Sequence, residues 1–440
     1  MRIALFTLGC KLNQSESEGL ADVFANHGFT VVKPSEDAEL YIVNTCTVTS
    51  KAEQKARRMI RKFAAMDHEP VVLVTGCYAQ MDPEDVGRLA DRLVVVPLDN
   101  KADLLKLPAY LEHLISANIS LYEGITSFLN SGEQGTSTPF DYKAITFQYH
   151  ARAFLKIEDG CDNACAYCRV TLARGAAVSL SANQVVARCL DIEREGYREI
   201  VFTGVNITAY RDGDIDLPGV LKMTLDAVSG RMRIRLSSLE PDMISDELIE
   251  VCRDPRVQPH FHIPIQSASP KLLRAVNRDF DLLEAAKQLK KLLAVKDDPF
   301  LAADIITGLP GELDEDAQMT RDFLIDTGFS QVHVFPFSPR PGTALYDAKG
   351  KVPEYRRDER ARDLRTLSHE LYQDYMRRWD GKEVEMIIEG EREGEVYGIS
   401  ANYLKAPIAG LPESHQRGDL CLVKLHRKDE ILKSTFIEFN

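Results

Sequence analysis

The first hundred residues alternate short apolar runs with longer amphipathic stretches. Apolar runs at residues 3–7, 40–44 and 71–75 predict strands, and the segments 16–26 and 51–65 between them predict helices. A strand–helix–strand rhythm of this kind produces a parallel sheet. We therefore expect an N-terminal α/β domain built from βαβ units.

The middle of the chain repeats the same order of strand and helix. Helices with one apolar face are predicted at residues 182–194, 243–253, 281–294 and 314–326. Strands are predicted at residues 153–157, 200–203, 234–237, 261–265, 302–306 and 332–335. Because these six units are fewer than the eight of a closed barrel, the pattern predicts an open, partial (β/α)6 barrel.

The pattern changes after a helical connector at residues 359–379. Short alternating strands follow, which is typical of a small β-barrel, and they are predicted at residues 384–388, 396–404, 420–425 and 435–439. A Ser-, Gly-, Thr- and Pro-rich stretch at residues 130–139 indicates a surface linker. We therefore divide the chain into residues 1–112, a linker at 113–146, the partial barrel at 147–378 and an all-β domain at 379–440.

The composition is that of a folded globular protein, with 44% hydrophobic and 28% charged residues in a chain of 440. No apolar stretch approaches the roughly 20 residues that cross a bilayer, and the N-terminus lacks a signal-peptide pattern. We expect a cytoplasmic protein with no membrane partner. Its net charge of −13 requires that any nucleic acid meet a local basic patch. Nine cysteines in this setting are more typical of thiolate ligands or core residues than of disulfides.

Three cysteines with the spacing C-x3-C-x2-C, namely Cys161, Cys165 and Cys168, follow the first predicted barrel strand. Such a loop can bind three irons of a cubic iron–sulfur cluster and leave the fourth iron open for a substrate or cofactor. A structural zinc site needs four ligands, and no histidine lies close by in the sequence. The spacing therefore favours an iron–sulfur cluster over zinc.

A second cysteine trio, Cys10, Cys46 and Cys77, is spread over the N-terminal domain, each residue just past a predicted strand. Ligands of an open parallel sheet gather at the carboxyl ends of its strands, so these cysteines can converge on one point. Gly9 and Gly76 would let the backbone approach closely. The alternative is three cysteines that act as small core hydrophobes. Because each lies on a loop, we favour a second three-thiolate cluster.

Nearly the whole chain resembles the radical S-adenosylmethionine methylthiotransferases. The resemblance rests, together with the C-x3-C-x2-C trio, on the motifs Thr7-Leu-Gly-Cys-Lys-Leu-Asn13, Asn44-Thr-Cys-Thr-Val-Thr49, Gly76-Cys-Tyr-Ala-Gln80, Ala173-Arg-Gly175, His262-Ile-Pro-Ile-Gln-Ser267 and Asp304-Ile-Ile-Thr-Gly-Leu-Pro-Gly-Glu312. It implies an N-terminal cluster domain, a radical core and a C-terminal TRAM barrel.

The resemblance also implies two [4Fe–4S] clusters and S-adenosylmethionine as cofactors, with all six cysteines of the trios in catalytic, metal-binding roles. In this family the open iron of the radical cluster chelates S-adenosylmethionine, which is cleaved to a 5′-deoxyadenosyl radical. The family then inserts sulfur and a methyl group at an unactivated C–H bond.

The motifs around Cys10 and Cys46 are most similar to the branch that acts on N6-threonylcarbamoyladenosine beside the anticodon of tRNA. Its product is 2-methylthio-N6-threonylcarbamoyladenosine. Two departures from the family pattern, Arg169-Val170-Thr171 and Ser179-Leu180, are expected to flank the mouth of the active site. Three alternatives stay open: methylthiolation of isopentenyladenosine in tRNA or of a ribosomal protein, another radical reaction in which the second cluster relays electrons, and a non-catalytic RNA-binding module that stores iron.

Residues at the carboxyl ends of the barrel strands are candidates for binding S-adenosylmethionine. In the superfamily the second strand ends in a backbone edge that receives the methionine amino group, which points to Gly204 and Asn206. The aromatic residue of the trio and later strand ends complete the set: Tyr167, Ser237, Gln266 and Gly308. For Gly308 an ordinary strand-to-helix turn is the alternative.

The predicted helix after Cys46 carries basic residues on one face: Lys51, Lys55, Arg58 and Lys62. That face is a candidate for binding tRNA phosphates, and the alternative is a solvated helix surface. The resemblance implies three partners, namely a tRNA substrate, an electron donor such as flavodoxin or ferredoxin, and a sulfur donor. We expect the protein to be a monomer.

Overall fold

The computed structural model of the protein describes residues 1–115, 119–131 and 138–439. Its N-terminal part is a parallel sheet with the strand order β2-β1-β3-β4-β5. The strands are β1 (Arg2–Thr7), β2 (Thr30–Val32), β3 (Leu40–Thr45), β4 (Val71–Gly76) and β5 (Leu93–Val95). The three predicted strands are confirmed. The two that the pattern missed are short edge strands of three residues, too short to show a period.

The helices of this part are Lys11–Asn26, Ser50–Ala64, Cys77–Met81, Pro83–Gly87, Leu98–Lys101, Leu107–Ile115 and Leu121–Asn130. The first begins five residues before its prediction because its opening turns bury polar side chains such as Asn13 and Glu16. The last lies within the segment 113–146 and packs through Ile125 on the N-terminal core. Residues 132–137, the centre of the predicted linker, lie outside the described part of the chain.

The middle of the described chain contains six parallel strands in two groups, β6-β9-β12 and β13-β14-β15, which a bridge between Ser238 and His262 joins into a partial barrel. Two short antiparallel pairs, β7 with β8 and β10 with β11, lie in the loops. The strands are β6 (Ala153–Lys156), β7 (Glu158–Asp159), β8 (Val178–Ser179), β9 (Glu199–Thr203), β10 (Arg211–Asp212), β11 (Ile215–Asp216), β12 (Arg233–Leu236), β13 (His260–Gln266), β14 (Phe300–Thr307) and β15 (Gln331–Pro336).

Helices cover the outside of this barrel, at Ala182–Arg194, Leu217–Ala227, Asp246–Val251, Pro270–Ala275, Leu282–Ala294 and Asp314–Thr327. The short helix Val170–Arg174 instead packs against the helix Cys77–Met81 of the N-terminal part. The helix predicted at 243–253 is shorter because Pro241 starts a separate 3-10 turn and Ser245 caps the helix proper, its hydroxyl accepting from the Leu248 amide. The (β/α)6 prediction is confirmed.

The long helix Glu354–Trp379 leads to a closed β-barrel with the strand order β16-β17-β18-β20-β19. Its strands are β16 (Glu383–Arg392), β17 (Glu395–Ser400), β18 (Lys405–Ala409), β19 (Leu420–Lys428) and β20 (Ile431–Phe439). The strand predicted at 396–404 ends at Ser400, because Tyr403 adopts a left-handed φ of +67° and turns the chain before β18. This barrel packs against the partial barrel through the stacked rings of His260 and Tyr403.

Apolar clusters lie on both faces of the N-terminal sheet, inside the partial barrel and inside the C-terminal barrel. Cys189 and Cys252 are buried in the apolar cluster of the partial barrel, and Cys421 is buried in that of the C-terminal barrel. We assign no function to these three cysteines. Across the described residues, no helix combines the length and the hydrophobicity needed to span a membrane.

Candidate functional site

The sheet brings the N-terminal cysteine trio together. Strand β3 lies between β1 and β4, so Cys10, Cys46 and Cys77 follow three adjacent strand ends. The Cys46 thiol interacts electrostatically with both of the others. Gly9, at φ +103°, packs directly on Cys46, since a Cβ added there would lie 2.8 Å from the Cys46 Cβ. Cysteines that are 36 and 31 residues apart in the sequence therefore lie together because their strands are neighbours in the sheet.

The second trio lies in the loop between β7 and the helix Val170–Arg174. Backbone N–H groups two residues further along donate to the sulfurs of Cys161 and Cys168 at 3.4 Å, and the Arg278 guanidinium donates to Cys165 at 3.7 Å. Gly160 lets the loop turn, because it has φ +79° and an added Cβ would lie 2.0 Å from a carbonyl oxygen. Each sulfur thus has a donor that suits a thiolate.

Both trios suit a metal–thiolate centre. Burial, together with the neighbouring thiols, raises the pKa of Cys46 to about 12, of Cys161 to about 12 and of Cys168 to about 11. Burial also raises the pKa of Cys77, against the pull of the Arg174 guanidinium. Buried thiols of this kind become thiolates when a metal replaces the proton. The residues therefore fit iron–sulfur clusters.

The end of β9 forms a cradle around a buried carboxyl group that the sequence did not reveal. Glu158 accepts a hydrogen bond from the Asn206 amide at 2.8 Å, while its other oxygen has no hydrogen-bond partner among the described residues. Gly204 is required beside it, since an added Cβ would lie 2.5 Å from Glu158 Oε2. Burial raises the pKa of Glu158 to about 8. Gly204 and Asn206 thus share one cradle at the barrel's mouth.

The other predicted cofactor residues lie in different surroundings. Ser237 is buried and its hydroxyl has no hydrogen-bond partner within the described part of the chain. Tyr167 and Gln266 line one cavity, and Gln266 adopts a left-handed φ of +66° there. Gly308 packs against the long connector helix, where an added Cβ would lie 2.5 Å from the Arg357 side chain. Its conformation therefore has a packing explanation of its own.

The cavity that contains Tyr167 and Gln266 is lined by residues that lie close in sequence to a cysteine of each trio. One wall is the loop after Cys46, through Val48 and Thr49, and the other comes from the ends of the last barrel strands. Its remaining lining residues are Asp304, Ile306, Phe335, Pro336, Phe337 and Ser338. A molecule in this cavity would lie next to segments of both cysteine trios.

A polar cluster extends from this cavity into the barrel. His262 Nδ1 lies 2.7 Å from the Ser238 hydroxyl, and His262 Nε2 lies 2.8 Å from Asp304 Oδ1. The ring of His333 contacts that of His262 at a centroid distance of 5.6 Å. The sequence showed His262 and Asp304 only as parts of motifs, because the register of β13, β14 and β15 is what places them together.

A buried ion network joins the N-terminal α/β part to the partial barrel. Arg174 donates to Glu16 at 3.0 Å and to Asp159 at 2.9 Å, and Lys156 contacts the same two carboxylates. Lys101 completes the network through Glu16. Against the effect of burial, these three cations hold the pKa of Glu16 well below its usual range. The network thus connects the two regions that carry the cysteine trios.

Two of the departures from the family pattern are internal, not at the mouth of the site as we expected. Arg169 is buried and donates to Asp82 at 2.8 and 3.0 Å and to Glu53 at 3.2 Å. Leu180 is part of the barrel's apolar core. Ser179 is half-buried and accepts a hydrogen bond from the Arg211 amide. The Arg169 contact is a join between the radical core and the N-terminal domain.

The basic helix Ser50–Ala64 presents its predicted face to solvent. Its four candidate residues are exposed and form no ion pair with any described residue: Lys51, Lys55, Arg58 and Lys62. The same helix buries Glu53, which pairs with Arg169 and Arg340 on the opposite side. The exposed face is therefore free to meet a polyanion.

Comparison with known proteins agrees with this arrangement. Residues 2–96 match the family described as "Uncharacterized protein family UPF0004", and residues 155–324 match the Radical SAM superfamily. A solved structure with this fold is the radical S-adenosylmethionine methyltransferase TsrM from Kitasatospora setae, bound to cobalamin and a [4Fe–4S] cluster. It superposes with a TM-score of 0.53 at 13% identity and covers 78% of this chain and 77% of its own. The fold and the matched segments define a radical S-adenosylmethionine enzyme.

Full-length relatives are more specific. Threonylcarbamoyladenosine tRNA methylthiotransferase MtaB from Treponema pallidum is 34% identical, with 98% of this chain and 99% of the relative aligned. Proteins of the same name from Thermotoga maritima and Bacillus subtilis are 34% and 32% identical and cover 93% of this chain, with 91% and 90% of their own lengths aligned. The chain belongs to the radical S-adenosylmethionine tRNA methylthiotransferase family.

Proposed function

We propose that this protein attaches a methylthio group to C2 of N6-threonylcarbamoyladenosine beside the anticodon of tRNA. The observation that carries the proposal is the cavity lined both by Val48 and Thr49, which follow Cys46, and by Tyr167, which precedes Cys168. A reaction that needs both a carbon radical and a sulfur requires the substrate to lie beside both sources. The relatives named for this substrate support the choice of nucleoside.

The proposed cofactors are one [4Fe–4S] cluster on each trio, with S-adenosylmethionine beside the second. When bound, that cluster and S-adenosylmethionine supply the one-electron chemistry that activates a C–H bond. The ligands would be Cys10, Cys46 and Cys77 for the first cluster and Cys161, Cys165 and Cys168 for the second. The strand ends at Gly204 and Ser237 would position the cofactor, and the buried ring of Phe337 would keep water from that wall of the cavity.

We assign the sulfur to the N-terminal centre. Three thiolates leave one coordination position for an exogenous sulfide, and a sulfur held there can react with the substrate only if it lies close to it. The loop that follows Cys46 lines the substrate cavity, which supports this role. Electron relay by the same centre is the competing role. The two roles predict different products from a variant that lacks Cys46.

The proposed macromolecular partner is tRNA, bound through the exposed basic face of Ser50–Ala64 and through the C-terminal barrel as a TRAM domain. A local patch is required because the net charge of −13 opposes a polyanion elsewhere on the surface. An electron donor such as flavodoxin or ferredoxin and a sulfur donor complete the proposed partners, and we propose that the enzyme acts as a monomer with the division 1–112, 113–146, 147–378 and 379–440.

The test is an anaerobic reaction of the reconstituted protein with two anticodon stem-loop RNAs, one carrying N6-threonylcarbamoyladenosine and one carrying isopentenyladenosine. Nucleoside mass spectrometry should detect a methylthiolated product from the first RNA only. Product from the second RNA alone, or from neither, would overturn the proposal.

Variants of single cysteines separate the two roles of the N-terminal centre. Cys46→Ala should still release 5′-deoxyadenosine from S-adenosylmethionine but form no methylthiolated nucleoside, because it retains the second trio. The matched control, Cys161→Ala, should lose both products. Methylthiolation at the wild-type level by Cys46→Ala would reduce the N-terminal centre to electron relay or structure.

A further inference from the structure

Three cations surround one aromatic ring where the N-terminal helix, the partial barrel and the C-terminal barrel meet. Lys11 Nζ lies 5.6 Å from the centroid of the Tyr403 ring, Lys405 Nζ lies 5.3 Å away, and the Arg235 guanidinium carbon lies 5.3 Å away. The Tyr403 ring also stacks on His260 at 3.9 Å. The ring is therefore fixed at the centre of a positively charged site.

Two of these three charges are not neutralised. Arg235 is paired with Glu199 through hydrogen bonds of 2.6 and 3.0 Å. Lys11 and Lys405 form no ion pair with any residue that the structure describes. Lys11 is only partly exposed, and an unpaired ammonium group in such a position is costly unless an anion joins it. The site thus suits an anionic ligand.

The charges lie at the end of a path that starts in the substrate cavity. Asp304 lines the cavity and hydrogen-bonds His262, and His262 contacts the ring of His333. The His333 side chain is exposed although it lies within a barrel strand, so the space it faces is open. The cation site adjoins the same strand, because His260, on which Tyr403 stacks, lies two residues before His262 on the same face of β13. Lys11 itself directly follows Cys10 in the chain.

We propose that Lys11 and Lys405 bind the carboxylate of the threonylcarbamoyl group, with Tyr403 holding the two ammonium groups in place. This inference rests on the proposed function. The carboxylate is the one negative charge that this base carries and that adenine and isopentenyladenine lack. A site that binds this carboxylate would select the modified nucleoside, because a nucleoside without the carboxylate leaves the cations of the site unpaired. A backbone phosphate of the RNA has the same chemistry and is the competing source of the anion.

The experiment measures binding of three anticodon stem-loop RNAs to the reconstituted holoenzyme by fluorescence anisotropy, without reductant. The RNAs carry N6-threonylcarbamoyladenosine, its methyl ester, or unmodified adenosine at the same position. Wild type should bind the free carboxylate at least tenfold more tightly than the ester, the effect of about one charge-assisted hydrogen bond. Lys11→Met and Lys405→Met should each remove that preference. Lys11→Arg should keep it, and so should the control Lys33→Met, which changes an exposed lysine elsewhere.

Each outcome decides one point. If the lysine variants lose affinity equally for all three RNAs, the cations bind phosphate and the inference is wrong. If wild type methylthiolates the modified RNA and the lysine variants still prefer the free carboxylate to the methyl ester, the inference alone fails. If wild type neither methylthiolates nor prefers that RNA, the proposed function fails first. Iron content equal to that of wild type shows that a variant is folded, and Lys405→Met, remote from the cysteines in sequence, provides the test if Lys11→Met loses iron.

Discussion

Glu16→Gln should weaken the whole protein by removing one carboxylate from the buried network between the two cluster-bearing regions. Glu16 contacts Lys101, Lys156 and Arg174, and its side chain is 2% exposed. Among the described residues the network contains these three cations and two carboxylates, Glu16 and Asp159. The substitution leaves Lys156 and Arg174 to share Asp159, and it leaves Lys101 with no carboxylate of the network.

The expected cost follows from that imbalance. Removing one partner of a buried ion pair costs about 3 to 5 kcal/mol, because the charges left behind stay desolvated. That corresponds to a loss of roughly a hundredfold or more in the folding equilibrium constant. A matched change at the surface is Glu84→Gln, which removes an ion pair with Arg88. The side chains of Glu84 and Arg88 are 85% and 73% exposed, so this change should cost between about 0 and 1 kcal/mol.

Anaerobic urea unfolding of wild type and both variants at pH 7 gives the free energies of unfolding. Against the effect of burial, the neighbouring cations hold the pKa of Glu16 far below its ordinary 4.5, so its stabilising contribution is present above that pH and is lost as the pH falls further. The deficit of Glu16→Gln should therefore be fully developed at pH 7. A deficit no larger than that of Glu84→Gln would refute the reasoning.

Acid should loosen the contact between the two barrels. Burial alone would raise the pKa of Glu199, but the neighbouring guanidinium groups hold that pKa at about 2. The carboxylate therefore contributes about 3 kcal/mol of stability above pH 4.5, and this contribution is lost as the pH falls toward 2. The difference in unfolding free energy between wild type and Glu199→Gln should shrink from pH 6 to pH 3, and a constant difference contradicts this. Gly76→Ala should halve the iron content of the reconstituted protein. Gly76 has a φ of +95°, and an added Cβ would lie 2.4 Å from a carbonyl oxygen of the adjacent strand, so the segment that carries Cys77 could not keep its place. An iron content equal to two full clusters would contradict this prediction. Changing Lys55, Arg58 and Lys62 to alanine should reduce the slope of log affinity for tRNA against log salt by roughly 0.7 to 0.9 for each phosphate that is no longer neutralised, and an unchanged slope would leave this face merely solvated.

The elements that the sequence predicts well are those with a local pattern. The barrel strands are buried apolar runs between helices with one apolar face, so their period is visible without the fold. Strand β18 escaped prediction because Pro407 interrupts its short alternation, and it is held by pairing with β17 and β20. The start of the first helix escaped because Asn13 and Glu16 are polar residues that the fold buries.

The site shows the same division. Cysteines are rare and chemically distinctive, so their positions after predicted strands indicated two clusters before the sheet order was known. The cluster of His262, Asp304 and His333 depends on the register of three strands far apart in the chain. The cations around Tyr403 come from three separate regions, and no spacing in the sequence connects them. Contacts of this kind are created by the fold and leave no local signal.

The most direct test of the central claim is nucleoside mass spectrometry of tRNA from cells that lack this protein. The account predicts that 2-methylthio-N6-threonylcarbamoyladenosine disappears and N6-threonylcarbamoyladenosine accumulates. It also predicts that the wild-type gene restores the methylthiolated nucleoside while a gene encoding Cys46→Ala does not. Undiminished 2-methylthio-N6-threonylcarbamoyladenosine in the deleted cells would contradict the proposed activity.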